Sequence, residues 1–178
     1  LEGIIYRRLQ AEEITRDLFK GFERYQEVKR CWRKENGQWL LKDIPFIENW
    51  GEEDYAVLVE CLQGTIKDGG VVLAAFEGDT LAGFASIEGE IFGGDHRYIQ
   101  LSSLHTSYPK RGRGIGKVLL ALAAQAARSL GAKKLYISTH SSEESQGFYR
   151  GQGCIEAKEY CSRLVEKEPC DCQLELVL

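Results

Sequence analysis

Arg111-Gly112-Arg113-Gly114-Ile115-Gly116-Lys117 is the stretch on which the reading of this chain turns. Upstream of it, Tyr98 to Thr106 reads as a strand, and Pro109 leads into a tight turn. Downstream, Ile115, Val118, Leu119, Leu122, Ala123, Ala126 and Leu130 recur at helical spacing until Gly131. The glycines therefore sit between a strand and the start of an amphipathic helix. Helix N-termini leave backbone N–H groups free and carry partial positive charge. Glycines remove the side chains that would hold an anion away, and Arg111, Arg113 and Lys117 add cationic donors.

Two common phosphate-binding patterns do not fit. A P-loop needs a hydroxyl after Gly-Lys, and Val118 follows Gly116-Lys117. A dinucleotide fingerprint needs G-x-G-x-x-G. Counted from Gly112 its third glycine falls on Lys117, and counted from Gly114 it falls on Leu119. What remains is an anion site of another kind, or a tight turn with a solvated basic rim.

Working outward, residues 4–9 read as a short strand. From Glu12 to Trp32, Ile14, Leu18, Phe22, Tyr25, Val28 and Trp32 recur every three or four residues, which predicts a helix. Residues 37–50, with Trp39, Phe46 and Trp50 around Pro45, read as an aromatic loop or short helix. Asp54 is placed as the cap of a helix carrying Leu58, Cys61, Leu62 and Ile66. Residues 71–76 and 80–88 read as strands joined by Glu77-Gly78-Asp79. Ala132 to Thr139 is a further strand, Ser141 with Glu144 fits a capping box for a short helix to Arg150, and strands are expected near 154–160 and 171–177. The order predicts one α/β domain over residues 1–178 with a mixed sheet.

Composition bounds the rest. With 43% hydrophobic and 28% charged residues the 178-residue chain is globular in class. A net charge of −4 excludes a general attraction to nucleic acid or anionic membrane. No apolar run reaches the roughly 18 residues of a membrane span. Glu2, Arg7 and Arg8 break any signal-peptide pattern, so a cytoplasmic location is expected. The six cysteines lack paired C-x₂-C hooks, so they are read as reduced and no metal site is assigned.

The glycine turn resembles the cofactor signature of the GNAT acetyltransferase superfamily, Arg/Gln-x-x-Gly-x-Gly/Ala, met here by Arg111, Gly114 and Gly116. A second element of that family, an aromatic-Tyr pair shortly before a glycine, is matched by Phe148-Tyr149-Arg150-Gly151-Gln152-Gly153, with Cys154 in place of the usual Phe. The resemblance covers residues 4 to 177 and implies a mostly antiparallel mixed sheet of six to seven strands. That sheet would be splayed at its centre and flanked by about four helices. It implies acetyl-CoA as cosubstrate, with backbone near Leu104, His105 and Thr106 on the pantetheine arm. The turn Arg111, Gly112, Arg113, Gly114, Ile115, Gly116 and Lys117 would take the pyrophosphate, and His140, Ser145, Phe148 and Tyr149 would flank the arm.

The implied activity is transfer of an acetyl group to a primary amine of a small molecule or peptide. Tyr149 takes the role of general acid to the leaving thiolate by family position. Many relatives carry a Glu base where this chain has Gln100, so Glu88 and His105 are the substitute candidates. An aromatic wall from Trp39, Phe46 and Trp50 would suit a cationic acceptor. Protein amino-group acetylation and a non-catalytic acyl-CoA-binding module stay open as alternatives. The resemblance also leaves room for a homodimer.

Overall fold

The computed structural model describes residues 3–178; Leu1 and Glu2, the first two residues of the predicted domain, lie outside the described residues. Nine strands and four helices follow in the order β1 (Ile4–Arg8), β2 (Tyr25–Glu35), β3 (Gln38–Asn49), α1 (Glu52–Lys67), β4 (Val71–Glu77), β5 (Thr80–Ile87), β6 (Tyr98–Thr106), α2 (Ile115–Ser129), β7 (Lys134–Thr139), α3 (Glu143–Gly151), β8 (Ile155–Glu156), α4 (Ser162–Lys167) and β9 (Cys172–Val177). Seven strands form one sheet in the order β1-β4-β5-β6-β7-β9-β8, while β2 and β3 form a separate hairpin. Every neighbouring pair is antiparallel except β6 with β7. This is the mixed, mostly antiparallel architecture expected.

The sheet is covered on both faces. Ile115, Leu119, Leu120 and Ala123 of α2, with Tyr149 of α3, bury against Leu73, Ala85, Ile99, Leu101, Leu135 and Ile137. On the other face Tyr55 and Leu62 of α1 pack with Ile14, Phe19, Phe22 and Phe84. Tyr98 and Tyr136 close against Leu164 of α4. Alternate residues along the central strands serve opposite layers, as a two-sided sheet requires.

One pairing shapes the functional region. β6 and β7 are parallel and touch only at Tyr98↔Lys134, Ile99↔Leu135 and Gln100↔Tyr136. Beyond those three rungs β6 stays with β5 and β7 stays with β9, so the two strands part. A bulge assists: the register jumps from Ser86↔Ser103 to Ile87↔Leu101, leaving Ser102 as an extra residue in β6. A bulge bends its strand and raises its local twist.

The N-terminal reading needs correction. The helix expected from Glu12 to Trp32 is two short 3₁₀ turns, Ala11–Glu13 and Arg16–Phe19, followed by β2. Ile14, Leu18 and Phe22 do meet one apolar layer, which explains their spacing, but Gly21 at φ +83° ends the helical path. Within residues 37–50, Gln38–Asn49 are strand, not loop or helix. Asn36 and Gly37, at φ 51° and 77°, join β2 to β3 with Glu35 opposite Gln38. Both positive angles belong to a two-residue hairpin turn that favours Asn-Gly. Gly51 is the N-cap of α1; Asp54 lies three residues on and accepts from the Gly51 N–H at 2.8 Å. Ser142, not Ser141, caps α3, its hydroxyl accepting from the Ser145 N–H at 3.2 Å. The strand expected near 154–160 shrinks to Ile155–Glu156, and α4 follows it.

Candidate active site

A cleft of about 650 Å³ opens where β6 and β7 diverge. Leu101–Thr106 line one wall and Ile137–His140 the other, with Glu144, Ser145, Phe148 and Tyr149 of α3 beside them. The glycine turn lies at the open end. Gly114, at φ +79°, is the N-cap of α2, and the first intrahelical bond runs from Val118 N to Gly114 O at 3.2 Å. The N–H groups ahead of Val118 are thus left for a ligand at the positive end of the helix. A Cβ added at Gly116 would sit 3.4 Å from the Phe148 ring and 3.7 Å from the Thr106 hydroxyl, both on the cleft wall. The turn is therefore a cradle that side chains would fill, and its donors suit a diphosphate.

The cleft unites Leu104, His105, Thr106, Arg111, Gly112, Gly114, Ile115, Gly116, Lys117, His140, Ser145, Phe148 and Tyr149. Of the expected catalytic and cofactor-binding residues, two are not among its lining. Arg113 turns away to Glu77, its Nη1 2.7 Å from Oε2. Glu88 lies behind β6, where its carboxylate accepts from the Thr65 hydroxyl of α1 at 2.9 Å and from the Ser102 hydroxyl.

A hydroxyl chain joins Glu88 to the cleft. Ser102 and Ser103 line the cleft, and the buried Ser86 hydroxyl contacts both, at 2.7 Å to Ser102. An ionised carboxylate only accepts. The single Ser102 proton points to Glu88, so Ser86 must donate to Ser102 and Ser103 to Ser86. The chain is polarised from the cleft toward Glu88.

Tyr149 is 7% exposed. Burial pushes its phenol well above the usual range, opposed by a hydrogen bond with Thr139. It stays protonated at any ordinary pH. His105 is the opposite case. Burial, then the charges of Arg24 and Arg111, push its imidazole down to about 3. Its Nδ1 accepts from Arg24 Nε at 3.1 Å, so the ring is neutral and carries its proton on Nε2. That leaves no free basic nitrogen at working pH. Gln100 belongs to the three paired rungs at the closed end and is outside the cleft.

The β2–β3 hairpin covers one side of the opening. Trp32 N donates to Ser141 O at 2.8 Å, Gln26 Nε2 to the Ser142 hydroxyl at 3.2 Å, and Arg30 pairs with Glu143 at 2.6 Å. Gln26 of β2 and Arg24, just ahead of it, join the lining, and the sequence reading names neither. The Asn36-Gly37 turn was the signal that would have placed them. Of the three expected aromatics, Trp50 stands 4.9 Å from His105 and Phe46 stands 5.3 Å from His140. Trp39 is elsewhere, under Lys34.

Residues 15–154 match the model of the acetyltransferase (GNAT) family. The chain belongs to the GNAT acetyltransferase family. No curated protein sequence matches it. Among solved structures, a nourseothricin acetyltransferase aligns over 98% of both chains with a TM-score of 0.72 at 16% identity. A Bacillus anthracis protein described provisionally as a streptothricin acetyltransferase, solved in complex with acetyl coenzyme A, aligns over 98% of this chain and 99% of its own, with a TM-score of 0.71 at 16% identity. The PaiA N-acetyltransferase of Thermoplasma acidophilum, in complex with coenzyme A, reaches 0.61 at 17% identity over 98% and 99% of the two chains. At these identities the likeness is one of fold. Among the described residues no group of three His, Cys, Asp or Glu could hold a metal ion, and no helix is long and apolar enough to cross a membrane.

Proposed function

We propose that this GNAT protein transfers the acetyl group of acetyl-CoA to a primary amine of a small molecule, by direct attack within the β6–β7 cleft. The observation that carries the proposal is the junction of a splayed strand pair with a glycine cradle at the N-terminus of α2. Acetyl-CoA would supply an activated thioester. The N–H groups of the turn, with Arg111 and Lys117, hold its diphosphate. Along Leu101–Thr106, β6 has no strand on its β7 side, so its main-chain groups there are open to the pantetheine arm. A strand N–H near Leu104 would also stabilise the developing oxyanion.

Tyr149 is a protonated phenol on the cleft wall, and it would give that proton to the departing thiolate. The attacking amine must lose a proton. Ser103 receives it while passing its own to Ser86, Ser86 passes one to Ser102, and Ser102 passes one to Glu88. Glu88 is thus the terminal base, reached through hydroxyls. His105 serves instead as a neutral donor through Nε2.

The hairpin over the cleft favours a small molecule above a protein side chain, which would need an open groove. The polarised serine chain favours an enzyme above a non-catalytic acyl-CoA binder, which has no use for a proton path. The same reading assigns the protein to the cytosol, where its six cysteines would stay reduced.

An acetyl-CoA-dependent thiol-release screen over polyamines, aminoglycosides, amino acids and short peptides tests the proposal. Release with at least one amine is expected. Silence across the panel together with tight CoA binding would reverse the choice in favour of the binding module.

A further inference from the structure

We propose that Arg24 anchors a carboxylate of the acceptor, so that the preferred acceptor is an amino acid and not a plain polyamine; this rests on the acetyltransferase reading of the cleft. Arg24 lines the cleft immediately before β2 and is only 8% exposed. Its guanidinium is held from three directions. Nε donates to His105 Nδ1 at 3.1 Å, Nη2 pairs with Glu48 at 3.1 Å, and the planar face lies 5.3 Å from the Trp50 ring centre. Nη1 is buried and has no hydrogen-bond partner among the described residues.

A guanidinium fixed this firmly, with one N–H pair unanswered, is a preformed receptor for an oxygen anion. Charge agrees. Arg24 and Arg111 are close enough for each to influence His105, and the charge of Arg24 also weighs on Arg111. Glu48 is the one carboxylate paired with Arg24, and it lies 4.0 Å from His140 Nε2 as well. Arg111 is engaged with Thr106 O at 3.4 Å and lies over the Tyr108 ring, and Arg24 Nη1 still lacks an acceptor oxygen among the described residues. A bare diamine would set a second cation beside Arg24. An amine that carries its own carboxylate offsets that repulsion and fills the vacant donor.

The experiment compares the standard amino acids with their C-terminal amides, and with cadaverine and putrescine, in the thiol-release assay on the full chain. Direct calorimetry of the same ligands on the CoA-loaded protein accompanies it. At least one amino acid should show a KM about tenfold or more below that of its amide and of the diamines. Arg24→Gln should erase the difference, and Arg24→Lys should restore part of it, with the acetyl-CoA KM unchanged. Diamines or amides equal to or better than the acids in the unmodified protein would overturn the proposal, and that comparison needs no variant to fold. A raised acetyl-CoA KM in Arg24→Gln would overturn it too, by giving Arg24 to the cosubstrate. Calorimetric binding of an amino acid without thiol release would uphold the anchor while removing the transferase reading. Turnover of diamines alone would do the reverse.

Discussion

Gly116→Ala separates the cradle's role in folding from its role in binding. Gly116 is in the first turn of α2 and its φ is not in the left-handed region, so Ala costs no backbone strain there. The new Cβ would meet Phe148 at 3.4 Å and Thr106 Oγ1 at 3.7 Å, which is ordinary contact. Ala is favoured over Gly in a helix interior by about 1 kcal/mol, and less in the first turn. The ligand-free variant should therefore melt at the same temperature as the parent or slightly above it. Binding should move the other way. The methyl group stands on the cleft side of the turn, where a diphosphate would approach the N–H groups. Losing one hydrogen bond to a charged group costs about 1.5–3 kcal/mol. Acetyl-CoA affinity should then fall by about 10- to 100-fold. Thermal melts of the ligand-free protein and calorimetric titration of acetyl-CoA read the two effects separately. A variant as stable as the parent that binds acetyl-CoA with unchanged affinity would refute the diphosphate assignment.

Tyr149→Phe should lower kcat by about 10²- to 10⁴-fold while acetyl-CoA affinity persists, as loss of a general acid requires; unchanged turnover would take Tyr149 out of the mechanism. Gly114→Val places a β-branched residue at φ +79° and should abolish acetyl-CoA binding while also lowering the melting temperature, so normal calorimetric affinity would count against the turn. For His105 the folded pKa, about 3, lies below the ordinary 6.5, so the unfolded chain binds the extra proton. Stability must fall as pH drops from about 6.5 toward 3, and most cleanly between 6.5 and 5, above the carboxylates. His105→Gln should flatten that part of the profile in thermal melts, and an identical slope in both proteins would mean His105 titrates normally. Glu88→Gln should depress kcat, and Ser86→Ala should reproduce the effect; an unchanged kcat in either would break the serine path.

The parts of the fold that the sequence announces are those with strong local pattern. The central strands are long apolar runs bounded by glycine turns, and α2 carries an unbroken apolar stripe from Ile115 to Leu130. The β2–β3 hairpin is different. Its two strands make no third partner in a sheet, its residues are mixed in exposure, and its register shifts between Val28 and Arg30, opposite Ile44 and Pro45. Period-2 alternation is therefore blurred, and Tyr25, Val28 and Trp32 imitate a helical face. The site divides along the same line. The glycine turn proposed to hold the diphosphate is contiguous backbone, so residues 111–117 make it legible in the sequence. The proposed acceptor side draws on Arg24, Glu48, Trp50 and His105, which come together only once the β2–β3 hairpin has folded. Glu88 was visible as a carboxylate at a strand end, but its link to the cleft depends on Ser86, Ser102 and Ser103 meeting across the bulge.

The three rungs between β6 and β7 also bear on how the chain assembles. On one side of that seam, β4, β5 and β6 follow one another as antiparallel neighbours and can pair early. On the other side, β9 lies between β7 and β8, so that half of the sheet is complete only when residues 172–177 arrive. The halves then join through a parallel contact across the α2 crossover, a non-local and slow kind of closure. A molecule lying along both strands of the cleft would act as a stitch across this three-rung seam. Its main effect on the folded protein should be to slow unfolding, leaving the early hairpins' rate of formation as it was.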